Sequence, residues 1–319
     1  MSQRVPVGEV LNEAFQFGLH RWFTVLRFAW LPFVLAGAVA GGVFWFIFDQ
    51  EALKALDEND PEALSQLFSS LKVAPATAML AGVAALIAIL IAYSGVFASI
   101  YRLVALGEDR PGIFQLRFDG PAIRVFWAQI ILIAINNGIF AVIALATLTL
   151  NGVGVGEVQA AWPEFLRLMI ASAADPSFEP TQAQMQALAP IGLLVLSGFF
   201  AAPVLIYVNI KLVPFPPGSA SENRLLLFGA FRMTAGHFWS ILGLYILFIL
   251  AMIVLGIVYT LAMSFIELMA SLGGAGALTI IGAIFTVVAF AAAIAYQVFV
   301  IGVQLSLQAI VYRRLKTGA

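Results

Sequence analysis

From Phe238 to Ile266 the chain reads FWSILGLYILFILAMIVLGIVYTLAMSFI, 29 residues without a charge before Glu267 closes the run. A helix needs about 20 apolar residues to cross the hydrocarbon core of a bilayer, so this stretch is long enough to span it. Its surroundings repeat the pattern. Residues 28–48, 73–101, 125–156, 180–210 and 268–312 are equally free of charged side chains. Trimmed at glycines, prolines and polar residues, the six runs predict helices near 24–48, 75–103, 126–150, 190–213, 239–264 and 277–312. The even-numbered ones look long: about 30 residues at 1.5 Å each make ~45 Å, so they tilt or project beyond the membrane.

Composition agrees. Of 319 residues, 62% are apolar and 10% are charged, with a mean hydropathy of +1.00. A soluble domain keeps roughly a quarter of its residues charged, so this chain is expected to be solvated by lipid. The absence of cysteine excludes disulfides, iron–sulfur clusters, thiolate zinc sites and a cysteine nucleophile. The first 15 residues carry Glu9 and Glu13 among apolar residues and lead to no small-residue cleavage site, so no cleavable signal is expected.

Charge is sorted between the two sides of the predicted spans. Thirteen of the 16 basic residues fall on one side, leaving only Lys54, Lys72 and Arg167 on the other; the two sides carry net charges of +7 and −8. Basic residues near span ends stay in the cytoplasm, which predicts that both termini are cytoplasmic.

The same comparison suggests a three-fold internal repeat. The basic-side ends of the second, fourth and sixth spans carry Tyr101, Tyr207 and Tyr312, 106 and 105 residues apart. The odd spans open on Trp22, Trp127 and Trp239, 105 and 112 apart. The fold class expected is therefore all-α integral membrane: one membrane domain over 1–319, built of three parallel two-helix repeats at about 5–107, 108–217 and 218–316. Each repeat would be led by a cytoplasmic amphipathic helix. In the first, Val7, Leu11, Ala14, Gly18 and Trp22 recur at helical spacing, as in a helix lying among headgroups. The second, 114–127, is interrupted by Gly120-Pro121. The third opens on Ser219-Ala220-Ser221-Glu222, which has the spacing of a capping box, after Pro214, Pro216 and Pro217 end the fourth span. On the other side, short helices are expected at 61–71, from Trp162-Pro163 onward, and at 181–188.

Two sets of residues are candidates for function. Arg21, Arg102, Arg117, Arg124, Arg224 and Arg232 would meet anionic headgroups at the cytoplasmic surface, each contributing on the order of 1 kcal/mol; ordinary topology-setting charge is the plainer reading. Gln297, Gln304 and Gln308 fall within about 40° on one helix face, and with Asn136 and Asn137 they form a candidate polar stripe. Such a stripe either lines a path for a solute or holds helices together by hydrogen bonds. The centres of the spans carry no charge, which argues against proton relays, voltage sensing and carboxylate-gated ion sites. His20 and His237 lack a third ligand for a metal, and no phosphate-cradling glycine loop or hydrolase motif occurs. No cofactor is expected.

The stretch from Lys211 through Pro216-Pro217 to Arg224-Leu225-Leu226-Leu227-Phe228-Gly229-Ala230-Phe231-Arg232-Met233-Thr234-Ala235-Gly236-His237-Phe238-Trp239 resembles an element of uncharacterised six-span bacterial inner-membrane proteins. These are similar to the membrane portion of some glycerophosphodiester phosphodiesterases. The segment from Tyr101-Arg102 to Arg124 fits the same style. The catalytic domain of those enzymes has no counterpart here, so the resemblance implies a bacterial inner membrane and carries over no hydrolase residue. The function expected is non-enzymatic: membrane organisation, or an accessory subunit of a larger membrane assembly. The alternative is a permease, channel or lipid-translocating protein. The partners expected are membrane lipids, anionic ones among them, with a membrane-protein partner or a second copy of the chain, and no nucleic acid.

Overall fold

A computed structural model describes residues 6–49, 72–109, 117–174, 178–271 and 278–318. Among these it contains helices and no strand. In chain order the helices are α1 (Val7–His20), α2 (Trp22–Ile47), α3 (Pro75–Leu106), α4 (Gly120–Leu150), α5 (Val155–Ala174), α6 (Gln182–Ala187), α7 (Ala189–Leu212), α8 (Phe215–Ser221), α9 (Leu227–Met233), α10 (Phe238–Ser271) and α11 (Leu278–Thr317). Six segments, α2, α3, α4, α7 with α8, α10 and α11, are long and apolar enough to cross a membrane. The most apolar window of α2 is only 6% buried within the protein and that of α10 only 17%. Their large side chains face outward, among them Ile249, Leu250, Ile253, Val254, Ile257 and Val258 on α10. A surface this apolar is solvated by lipid, and the chain is a multi-pass membrane protein.

The span ends lie within five residues of the positions expected from hydropathy, except that α4 starts six residues earlier and α10 ends seven residues later. Three local expectations differ. Gly120-Pro121 does not interrupt a helix but starts one: proline tolerates the first turn, where its missing N–H has no partner to lose. There the Asp119 carboxylate accepts from Ala122 N at 3.4 Å. The prolines after α7 act likewise, since the chain turns at 213–214 and resumes as α8 with Pro216 and Pro217 in its first turn. Ser219 therefore lies inside a helix and forms no capping box with Glu222; its hydroxyl accepts from Leu226 N at 3.1 Å, just ahead of α9. Lastly, α5 starts at Val155, so Pro163 is internal to it. The helix predicted at 181–188 does form, as α6, with Thr181 and Gln184 making a capping box. The helix predicted at 61–71 lies outside the described residues, as does 114–116 of the second leading segment.

The chain divides into two compact units. One comprises 1–33, 91–128 and 210–319 and holds every described basic residue except Lys72 and Arg167. Its core gathers Val10, Ala14, Phe28, Tyr101, Val125, Ile241, Leu244, Leu307 and Ile310, all nearly or fully buried. The other comprises 34–90 and 129–209, and its buried residues are mostly small or polar, including Ala36, Ala85, Ala144, Ala161, Ser197 and Ala201. Small side chains allow close helix approach where lipid supplies no hydrophobic drive.

Within the first unit, α1 lies on α10 and α11. Its Val10–Ala14–Gly18 face is fully buried there, so this leading helix gives its apolar face to protein. The crossing is narrow: a Cβ added to Gly18 would stand 2.5 Å from Val303 Cγ2 and 3.1 Å from the Phe299 ring, and one added to Gly302 would stand 3.6 Å from Gly18 Cα. Val303 is β-branched and holds one preferred rotamer in a helix, so it cannot turn aside. Gly18→Ala therefore sets an overpacking cost of about 1–3 kcal/mol against a helix-propensity gain of up to ~1 kcal/mol, and net destabilisation is expected. Gly37→Ala, where a new Cβ meets nothing within 4 Å, keeps only the gain. Thermal unfolding in lipid discs should lower the midpoint for the first variant and not for the second.

Candidate functional site

The charged end of the first unit is built around α8. Phe215 to Ala220 are all buried, so the helix's last carbonyls need partners other than water. Two arginines from different spans supply them. Arg102 of α3 donates Nη1 to Ala220 O at 2.9 Å while its other nitrogens hold Glu108 at 2.6 and 2.7 Å. Arg124 of α4 donates Nε to Ser219 O at 3.0 Å and Nη2 to Asn223 Oδ1 at 2.8 Å. Cations suit a helix C-terminus because its dipole is negative there. Asn223 adopts φ 50°, the left-handed conformation that asparagine tolerates just past a helix end.

Glu222 ties this end to α11. Its carboxylate accepts from the Tyr312 hydroxyl at 2.8 Å, from Arg224 at 3.0 Å and from Lys316 at 3.2 Å. Burial alone would raise its pKa, but these hydrogen bonds outweigh burial, the one from Tyr312 foremost, and hold the carboxyl below the ordinary value of 4.5. Close by in sequence, Arg313 pairs with Glu13 and donates to Val104 O at 3.2 Å. Arg314 stands 3.6 Å from Glu13, and Arg27 pairs with Asp109. Thr234 and Lys211 exchange bonds at 3.3 Å.

The six arginines singled out from sequence thus separate. Arg102, Arg124 and Arg224 bond to protein groups. Arg117 is buried and pairs with Asp119 at 2.6 Å. Arg21 and Arg232 are exposed. Arg21 lines a half-polar cavity of about 290 Å³ with Glu13, Asp109 and Arg313.

The polar stripe is not one feature. Asn136 and Asn209 exchange amide bonds at 2.6 and 3.3 Å, and Asn136 also donates to Leu132 O. Asn137 donates to Ile133 O at 2.8 Å. Gln308 accepts from the Tyr101 hydroxyl, whereas Gln297 and Gln304 are exposed on α11. Asn209 and the bonded roles of Tyr101 and Tyr312 were missed in the sequence, where the tyrosines served only as markers of the repeat, and Glu222, expected in a capping box, instead binds Tyr312, Arg224 and Lys316. Tyr101 and Tyr312 are buried while Tyr207 is 48% exposed, so the three do not share an environment. Among the described residues no group of three or more His, Asp or Glu is placed to hold a metal ion.

A depressed pKa means that Glu222 contributes stability above the unfolded-state value near 4.5, and that this contribution fades as pH falls below it. Thermal midpoints measured from pH 7 downward should fall less steeply for Glu222→Gln than for the wild type, with the variant already less stable at pH 7.

No family model, curated protein or solved structure matches this chain.

Proposed function

We propose that this is a non-enzymatic protein of a bacterial inner membrane, with both termini cytoplasmic, that organises the membrane or serves as an accessory subunit of a larger assembly. One observation carries the reading: many of the polar groups in the described spans, exposed Gln297 and Gln304 apart, are taken up by hydrogen bonds to neighbouring helices or to their own backbone. Asn136 pairs with Asn209, Gln308 with Tyr101, and Ser197 and Thr147 with carbonyls four residues back. Residues engaged in this way hold helices together and offer little to a passing solute. The charged end supports the same reading, because its arginines and carboxylates neutralise one another. The broad apolar face of α10 suits lipid or a partner's helix. On this reading the tryptophans at 22, 127 and 239 mark three parallel repeats, and exposed Arg21 and Arg232 meet acidic headgroups.

Exposed Gln297 and Gln304 on α11 favour a second reading, a path for a neutral or lipid-like solute. Mass spectrometry of the protein extracted in native lipid discs separates the two. A stoichiometric protein partner is the expected result. A lone chain carrying one enriched solute would overturn the accessory reading and favour translocation, and a cysteine at position 297 should then label from water.

A further inference from the structure

The helix α5 is 20 residues long, yet it is not one of the six segments apolar enough to span. The spans before and after it fix its level. α4 stops in a tight turn in which Gly152 takes φ 71°, a conformation glycine adopts without strain. There Gly152 N and Val153 N donate back to Thr149 O at 3.1 Å and Leu148 O at 2.9 Å, the paired bonds that close a helix end. α5 begins at once afterwards, at Val155. It also packs against α6, and Leu188 alone separates α6 from α7. α5 is therefore held at the membrane surface where α4 ends and α7 begins. Its faces differ in character. Ala161 and Leu168, two turns apart, are buried. Glu157, Glu164 and Arg167 make a polar face, with Arg167 and Glu164 3.9 Å apart. A third, apolar face points outward: Val155, Trp162 and Met169, spaced by sevens, are 52%, 48% and 55% exposed. At 100° per residue they fall within about 40° of one another. Phe165 flanks them, its ring 5.4 Å from that of Trp162.

We infer that α5 docks flat into the leaflet at which α4 ends, with Val155, Trp162 and Met169 set among the lipid chains and Glu157, Glu164 and Arg167 in water. The occupant of the stripe is lipid because the stripe follows directly on a lipid-facing surface. Val142, Leu145 and Leu150 are exposed along the last turns of α4, Leu150 to 86%, and Val155 comes five residues later. Tryptophan suits the boundary of headgroups and chains, where its ring is in apolar surroundings and its N–H is wet. The polar face sets two carboxylates against one guanidinium, so it lacks the surplus of lysine and arginine that draws a helix to acidic lipid. Apolar burial drives the docking, and phosphatidylcholine suffices. The inference rests on the membrane reading above and not on the accessory role.

The chain has no cysteine, so a nitroxide can be attached at one chosen position of the full protein. The test compares Val155→Cys, Met169→Cys and Arg167→Cys with Val254→Cys on the outward face of α10, each labelled and placed in phosphatidylcholine discs. Spectral saturation reads collisions with oxygen, which concentrates in lipid, and with a nickel chelate, which stays in water. Labels at 155 and 169 should collide with oxygen and lose the nickel collisions, as the label at 254 does, whereas the label at 167 should keep them. Nickel reaching 155 and 169 as freely as 167, with 254 still closed to it, overturns the docking and leaves the membrane reading standing. Nickel reaching 254 as well overturns both. Labels at 155 and 169 closed to both reagents mean that protein covers the stripe, a second copy included, and overturn the assignment to lipid.

Discussion

Two guanidinium groups, Arg102 and Arg124, reach from separate spans to the carbonyls that end α8, and the charged end of the protein depends on that convergence. The need for it arises upstream. Three prolines allow α7 to stop and α8 to start with only a two-residue turn between them. The short helix that results is buried, and its C-terminal carbonyls are out of reach of water. Each carbonyl left unpaired would cost about 1–3 kcal/mol. The arginines remove that cost and join α3, α4 and α8, while Glu222 adds α11 through Tyr312 and Lys316.

Elsewhere the helices meet by shape. Lipid tails are as apolar as leucine, so association needs close contact or hydrogen bonds between helices. Gly18 and Gly302 provide the contact for α1 on α11, and Gly95 provides it for the segment carrying Arg117. Gly218 plays a related part within the charged end: a Cβ there would stand 2.5 Å from Leu226 and 3.1 Å from Tyr312. Asn136 with Asn209 is the hydrogen-bonded counterpart, joining α4 to α7. Contacts of both kinds tolerate little change, in contrast to the outward faces of α2 and α10.

The spans were legible because the membrane imposes a length and an absence of charge that hydropathy reads directly. The basic residues are sorted along the sequence, and the structure gathers the described ones, apart from Lys72 and Arg167, into one unit. The partners of the arginines were not legible. Arg102 and Arg124 bond to backbone carbonyls 118 and 95 residues away, and a carbonyl carries no side-chain signature. Ser219 illustrates the same limit: its spacing to Glu222 suggested a cap, but prolines upstream had already started the helix that contains both it and Ala220. Gln308 was read with Gln297 and Gln304 as one stripe because helical phase alone cannot tell that one member has a tyrosine partner.

The claim that Arg124 secures α8 is tested most directly by amide hydrogen exchange of the protein in lipid discs, comparing wild type with Arg124→Gln. The account predicts faster exchange from Gly218 to Leu226 in the variant, with exchange along the middle of α10 unchanged. Identical exchange in the two proteins across 218–226 would contradict it.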